Sequence, residues 1–317
     1  MSITKSPFLR RGRSFYVIAE ASGNHAQSLK RAHALIDAAA EAGADAIKFQ
    51  TFTAEEIAAD HVAILRGYNA EHDAWLDKMG VSTMRELFRK GGLPRPWHKQ
   101  LKDHATERGI DFLSTPFSVD AARFLVEEIG VPYLKIASGD LTFLPLLEYA
   151  NTLEIPVILS TGGATPEEIS AAATIHLARQ YLNRTLALLH CRSVYPCPED
   201  IVQLHAIRYL AQNFPYCTPG WSDHTLSWSV PGLALCVGAV VIEKHLTLDD
   251  EGVDAGHSLR ADGFARMVNG LIGIAHMLGE PGTKTVHLSE YHDRLWARRA
   301  PEDWRRPTMT ARMGQWE

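Results

Sequence analysis

Residues 44–50 read Ala44-Asp45-Ala46-Ile47-Lys48-Phe49-Gln50. A short apolar run ends here on two long polar side chains. It follows an amphipathic stretch, Ser28–Ala42, whose Leu29, Ala32, Leu35, Ile36 and Ala39 fall on one stripe at helical spacing. A helix followed by a buried strand that turns polar at its C-terminal end is the repeating unit of a parallel sheet. The unit recurs along the chain. Apolar runs at Phe15–Ala19, Ala46–Phe49, Asp111–Ser114, Tyr133–Ile136, Val157–Leu159, Leu186–His190, Cys217–Trp221 and Val240–Lys244 predict eight strands. Helical stretches follow them, among them Thr165–Tyr181, which opens on Thr165-Pro166-Glu167-Glu168, and Asp262–Leu278. Eight such units in 317 residues favour an α/β fold closed as a (β/α)8 TIM barrel over an open doubly wound sheet. No Gly-x-Gly-x-x-Gly follows the first strand, so a dinucleotide-binding fold has no support.

Polar residues gather where each strand ends: Glu20; Lys48 and Gln50; Ser114-Thr115; Lys135, Ser138 and Asp140; Ser160-Thr161; His190, Ser193 and Tyr195; Ser222-Asp223-His224; Glu243-Lys244-His245. In a barrel these ends form one rim, where catalysis is placed. Residues two apart on a strand share a face, so Lys48 with Gln50, Ser222 with His224, and Glu243 with His245 can enter the mouth together. His224 and His245 can then share a divalent metal with positions left open for water and substrate. Thr115, Ser138, Ser160 and Ser222 around Lys135 make an oxyanion site, and Lys48 can hold a carboxylate. Taken singly these residues read more plainly. Lys135 alone is an ion-pair member, Glu243-Lys244 an adjacent ion pair, and Cys191 a buried structural thiol with no activating base. The histidines His25, His33, His61, His72, His98 and His104 are expected on the surface or in loops.

The rest of the sequence sets limits. The net charge is −5 and the basic residues are dispersed until the C-terminus, which argues against nucleic acid as a partner. The four cysteines form no Cys-x-x-Cys pair and are expected to be reduced thiols. No apolar run reaches transmembrane length, so no membrane is expected, and the chain reads as soluble and cytoplasmic. The expected organisation is a barrel over 1–284, with an insert at about 52–94 on the face of the rim, and a tail over 285–317 rich in Arg and Trp.

The segments Glu20 with Asn24-His25, 44–50, Ser114-Thr115-Pro116-Phe117, Lys135-Ile136-Ala137-Ser138-Gly139, Leu159-Ser160-Thr161-Gly162, Leu189-His190-Cys191 with Tyr195-Pro196, Trp221-Ser222-Asp223-His224-Thr225 and Ile242-Glu243-Lys244-His245 resemble the N-acetylneuraminate (sialic acid) synthase family. They occur in the family's order over roughly residues 15 to 280. The resemblance implies a metal-dependent condensation of phosphoenolpyruvate with an aldose resembling N-acetylmannosamine, giving a nonulosonic acid and phosphate. It implies that Lys135, Thr115, Ser138, Ser160 and Ser222 bind the phosphate, and that Lys48 faces the carboxylate. It implies that Glu20, Gln50, Tyr195 and Asp254 contact the acceptor, and that His224 and His245 hold manganese or magnesium. Glu20, Lys48, Asp140, His224 and His245 are then the catalytic set, with Ser193 among the substrate contacts. Asp140 stands where the family commonly has Glu, and Ser193 where some members have Asn. Arg294-Leu-Trp-Ala-Arg298-Arg299 resembles the linker to the family's C-terminal antifreeze-like domain. The expectation is therefore a barrel without that domain, and a homodimer, if one forms, other than the usual domain-swapped one. Two rival readings remain: a Schiff-base pyruvate aldolase or lyase using Lys135 or Lys48, and a non-catalytic barrel subunit that needs a partner.

Overall fold

The computed structural model describes residues 6–9, 12–59, 61–67, 70–279 and 284–314. Eight parallel strands form its centre: β1 Tyr16–Glu20, β2 Ala46–Thr51, β3 Asp111–Pro116, β4 Leu134–Ile136, β5 Val157–Ser160, β6 Leu186–Cys191, β7 Thr218–Asp223 and β8 Val241–Thr247. They run in the order β3-β2-β1-β8-β7-β6-β5-β4. The two ends of this path, β3 and β4, lie side by side without ladder pairing among the described residues. The sheet is thus a nearly closed barrel with helices between its strands, as the sequence predicts. Strand ends differ from the expected ones by one to three residues, and β8 runs on to Thr247.

Strand parity sorts the side chains into two sets. One set, including Val17, Ala19, Ile47, Phe49, Phe112, Trp221 and Ile242, packs with the helices in the largest core cluster. The other, Tyr16, Ile18, Ala46, Leu113, Ile158, Ala187, Leu189 and Val241, packs with Phe8 in a separate cluster that fills the barrel interior. Tyr16 donates to Asp111 at 2.6 Å, and Phe8 and Tyr133 stack at 5.2 Å beside it. Above this apolar layer the next inward position on each strand is polar. Gly220 is needed in the lower layer, because a Cβ there would sit 2.5 Å from the Val241 carbonyl and 2.2 Å from Leu189.

The helix expected at Ser28–Ala42 forms over Leu29–Glu41, capped by the Ser28 hydroxyl, with Ala32, Leu35, Ile36 and Ala39 buried. The helix expected over Thr165–Tyr181 keeps its capping box at Thr165 and Glu168 but is not continuous: a π segment, Ala172–His176, separates Pro166–Ala171 from Ala178–Leu182. The segment after β2 carries helices Ala54–Ile57, Ala70–Met79 and Met84–Gly91, and a bridge between Ala63 and Thr83.

After β8 the chain makes a two-residue strand, β9 Leu259–Arg260, which pairs in parallel with Leu246 and Thr247. This pairing folds residues 248–258 back beside the barrel rim. The chain divides into two compact units, Met1–Met277 and Leu278–Glu317. Within the second, helices Tyr291–Ala297 and Met309–Arg312 are joined by a loop whose Asp303 pairs with Arg312 of the second helix at 2.6 Å.

Candidate active site

The register that closes the barrel also assembles its polar layer. Glu20 lies opposite Lys48 on β2 and His245 on β8, Gln50 opposite Thr115, and Ser222 opposite Glu243. Four charged side chains are thereby buried together. Lys48 pairs with Glu20, donates to the Thr115 hydroxyl at 2.9 Å and lies 3.7 Å from Glu243. Lys135 donates to Ser160 at 2.8 Å and to the Ile136 carbonyl at 3.2 Å, and lies 3.8 Å from Glu243. Ser222 donates to Glu243 at 3.1 Å, and Gln50 to Glu20 at 3.4 Å. None of the four charged side chains is more than 6% exposed.

Charges this deep survive only by mutual support. Burial pushes the Glu20 carboxyl up to about 7; Lys48 opposes the rise and the nearby Glu243 adds to it. Burial pulls Lys48 down, but Glu20 and Glu243 outweigh it and leave the amine above its ordinary value. For Lys135 burial prevails over Glu243, and the amine is held low. Burial also raises the Glu243 carboxyl, but Lys135 and Lys48 prevail and hold it low.

Around this core stand the hydroxyls and the second carboxyl. Ser138 opens the turn after β4; its hydroxyl accepts from the Gly162 amide at 2.9 Å and lies 3.1 Å from the Cys191 sulfur. Burial pushes the Cys191 thiol up, as befits a structural thiol. A Cβ on Gly162 would meet Ser193, Cys191 and Ser138 within 3.0 Å, so a glycine there lets the three close together. Ser193 is itself exposed. Asp140 ends the same turn; its Oδ2 is buried without a partner, and burial raises the carboxyl to about 6 against the pull of Lys135.

The histidines form a second group on the β7–β8 side. The His224 Nδ1 donates to the Arg192 carbonyl at 2.6 Å, and its ring lies 4.2 Å from Tyr195 and 5.5 Å from His245. His257, from the loop after β8, lies 4.6 Å from the His245 ring and 5.0 Å from Tyr195. The donor atoms of His245, Asp254 and His257 all lie within 4.8 Å of one another. His257 carried no signal in the sequence, since it belongs to no strand end and reaches the site only through loop folding.

One expectation needs correction. Of the histidines expected on the surface or in loops, His25 lies in a loop but is fully buried, and His98 is fully buried at the start of a helix. His25 lies 3.2 Å from the Gly91 carbonyl and accepts from the Gln27 amide at 3.1 Å, while His98 bonds Thr51 at 2.6 Å. His33, His61 and His104 are half-buried or exposed, and the side chain of His72 lies outside the described residues. Nor do Glu243 and Lys244 pair with each other. Neighbours on a strand face opposite ways, so Glu243 enters the barrel while Lys244 binds Asp223 at 2.9 Å behind it.

Sequence comparison matches the NeuB family over residues 35–283. The chain is 36% identical over 293 residues to N,N'-diacetyllegionaminic acid synthase of Legionella pneumophila, covering 90% of this chain and 79% of that protein. It is 34% identical over 291 residues to pseudaminic acid synthase of Campylobacter jejuni, covering 89% and 80%. Among solved structures it resembles N-acetylneuraminic acid (sialic acid) synthetase from Leptospira borgpetersenii in complex with citrate, with a TM-score of 0.76, 33% identity, and coverage of 91% of this chain and 95% of that one. Among the described residues, no helix is long and apolar enough to cross a membrane.

Proposed function

We propose, from the premise that this chain belongs to the NeuB family of synthases, that it condenses phosphoenolpyruvate with the aldehyde of an N-acylated amino sugar. C3 of phosphoenolpyruvate bonds to the aldehyde carbon, water adds at C2, and the C–O bond to phosphate breaks, giving a nonulosonic acid and inorganic phosphate. The observation that carries this reading is the pair of buried lysines, Lys48 and Lys135, bridged by Glu243 in one barrel mouth. Two fixed cations a few ångströms from one carboxylate suit a small molecule with two anionic ends.

Lys135 with Ser160, Ser138 and Ser222 receives the phosphate, and Lys48 with Thr115 the carboxylate. Glu20 and Asp140, whose carboxyls burial raises to about 7 and about 6, are groups able to take and return a proton as water adds at C2 and the aldehyde oxygen is protonated to a hydroxyl. Gln50, Tyr195, Ser193 and Asp254 line the side where the acceptor enters. The donor chemistry fits a divalent metal: the imidazoles of His245 and His257 and the Asp254 carboxylate converge, the His224 ring lies 5.5 Å from that of His245, and the buried His245 Nδ1 has no hydrogen-bond partner. When bound, such an ion supplies Lewis-acid polarisation of the aldehyde. The remaining contribution is the chain's own positioning and fixed charge.

The test is incubation with phosphoenolpyruvate, Mn2+ and a panel of N-acetylated hexosamine aldehydes, read by phosphate release and product mass. The expected product mass is the sum of the two substrates plus water less phosphoric acid. Phosphoenolpyruvate left intact with every acceptor refutes the reading. The lowered Lys135 amine also suits a Schiff-base nucleophile. Borohydride trapping of pyruvate on the chain, without phosphate release from phosphoenolpyruvate, would establish the aldolase reading instead.

A further inference from the structure

We infer that His257 and Asp254, on the loop after β8, join His245 as protein ligands of one divalent transition-metal ion, so that this loop and not the two strand-end histidines alone holds the cation. The inference deepens the proposed function and rests on its reading of the β7–β8 side of the mouth as the cation site.

Three observations converge. The donor atoms of His245, Asp254 and His257 lie within 4.8 Å of one another, and they are the only such group of three among the described residues. The His257 Nε2 lies 3.4 Å from Asp254 Oδ1, yet it makes no hydrogen bond. A separation of 3.4 Å is what two donors about 2.1 Å from a common centre show at a roughly tetrahedral angle. Finally, the His257 Nε2 and the His245 Nδ1 are both buried with no partner. An orphaned buried nitrogen costs about 1–3 kcal/mol, and two of them on neighbouring rings need an explanation that a shared cation provides.

The loop is also built to hold the carboxylate still. The other oxygen of Asp254, Oδ2, accepts from the Gly23 amide at 3.1 Å. The Asp254 amide donates to Asn24 Oδ1 at 3.1 Å, and the Ser258 hydroxyl donates to the Asp254 carbonyl at 2.5 Å. Asn24 itself is buried and donates to the Leu246 carbonyl at 2.9 Å and to Ser258 at 3.0 Å. A ligand carboxylate oriented through its second oxygen is the usual outer support of a metal site. His224 stands outside the converging three; its Nδ1 donates to the Arg192 carbonyl, which leaves Nε2 free as a further ligand. Two imidazoles and one carboxylate favour Mn2+, Fe2+, Co2+ or Zn2+ over Mg2+, which prefers all-oxygen surroundings.

The test is direct metal binding to the full chain after EDTA treatment and dialysis. Mn2+ is followed by electron paramagnetic resonance, and Co2+ by its visible spectrum. Wild type is expected to bind one ion, with Co2+ displacing Mn2+ and Mg2+ competing poorly. His257→Ala and Asp254→Asn are each expected to weaken Mn2+ binding at least about tenfold, and His257→Ala to shift the Co2+ bands as an imidazole is lost. Melting in EDTA checks that each variant folds; should His257→Ala fail to fold, Asp254→Asn carries the comparison. Mn2+ affinity of His257→Ala within about twofold of wild type, with binding lost in His224→Ala, overturns the inference while leaving the two-histidine site and the proposed reaction standing. A wild type that binds neither Mn2+ nor Co2+ also overturns it. Phosphate release by the same preparation then decides the fate of the reaction separately.

Discussion

Replacing Glu243 with glutamine should weaken the fold and strengthen anion binding at once. The carboxylate lies 3.7 Å from the Lys48 ammonium and 3.8 Å from that of Lys135. At an effective dielectric constant of about 20, each contact is a gross attraction of roughly 4 kcal/mol. Part of this is offset, because the substitution relieves repulsion with Glu20 and the cost of burying Glu243 itself. Removing one partner from a buried ionic group leaves a net loss of about 3–5 kcal/mol. Glutamine keeps the shape and can still accept from Ser222, so packing does not explain the loss. In a chain of this size it corresponds to a fall in Tm of roughly 4–8 °C. The same change leaves the four-charge layer with two lysines and only Glu20 opposing them. Phosphate or phosphoenolpyruvate then meets one less negative charge and should bind about tenfold tighter, adding about 1.4 kcal/mol to the ligand's stabilisation. The assay is thermal unfolding of wild type and E243Q at pH 7.5 across a phosphate titration. The variant should melt lower in plain buffer and recover more with each increment of phosphate. A Tm within 2 °C of wild type, together with an unchanged phosphate shift, would refute the charge argument on both counts.

Two further substitutions probe other parts of the rim. Asp140→Asn should remove a pH dependence: the folded carboxyl sits at about 6 against an ordinary 3.8, so its protonated form favours the fold fully below 3.8 and this advantage is lost as pH rises through 6. Discounted for partial exposure, the effect is on the order of 1–2 kcal/mol, and the variant's Tm should gain on wild type between pH 4.5 and 7.5 by a few degrees; parallel profiles would count against it. Asn24→Ala should cost about 2–4 kcal/mol, since it strips three hydrogen bonds, two of them buried, that join the loop after β1 to the end of β8 and the loop beyond it. Hydrogen exchange in peptides covering 248–258 should quicken, and unchanged exchange there would show that Asn24 is not the latch.

How much of this was legible in the sequence follows from the range of the interactions. The eight strands and their polar ends were readable because period-two burial is local, and each strand turns polar where it reaches the rim. Parity also placed Lys48 beside Gln50 and Glu243 beside His245. The same parity sets Glu243 and Lys244 on opposite faces, so the plainer reading of the two as an adjacent ion pair does not hold. The break in the helix after β5 left no trace, since a π segment such as Ala172–His176 has ordinary composition. His257 was illegible for a different reason. It reaches the site only because β9 pairs with the end of β8 and because Asn24 ties down Asp254 across 230 residues of sequence. His25 was expected on the surface or in a loop; it is buried in one, and its ring nitrogens face the Gly91 carbonyl and the Gln27 amide.

The polar layer explains why the proposed anion site contains two carboxylates. Burying two lysines alone would push both toward the neutral amine, and neither would attract phosphate. Glu20 and Glu243 oppose that push, so the ammonium form of Lys48 is retained. Each ammonium has three protons. Lys48 commits two, to Glu20 and Thr115, and Lys135 commits two, to Ser160 and the Ile136 carbonyl. Glu243 lies 3.7 and 3.8 Å from the two nitrogens, too far for a hydrogen bond. Glu243 therefore balances the charge of both lysines without satisfying either. One donor on each remains for an incoming oxygen at ordinary hydrogen-bond distance, and the two donors flank a single carboxylate, which a ligand with two anionic ends can straddle.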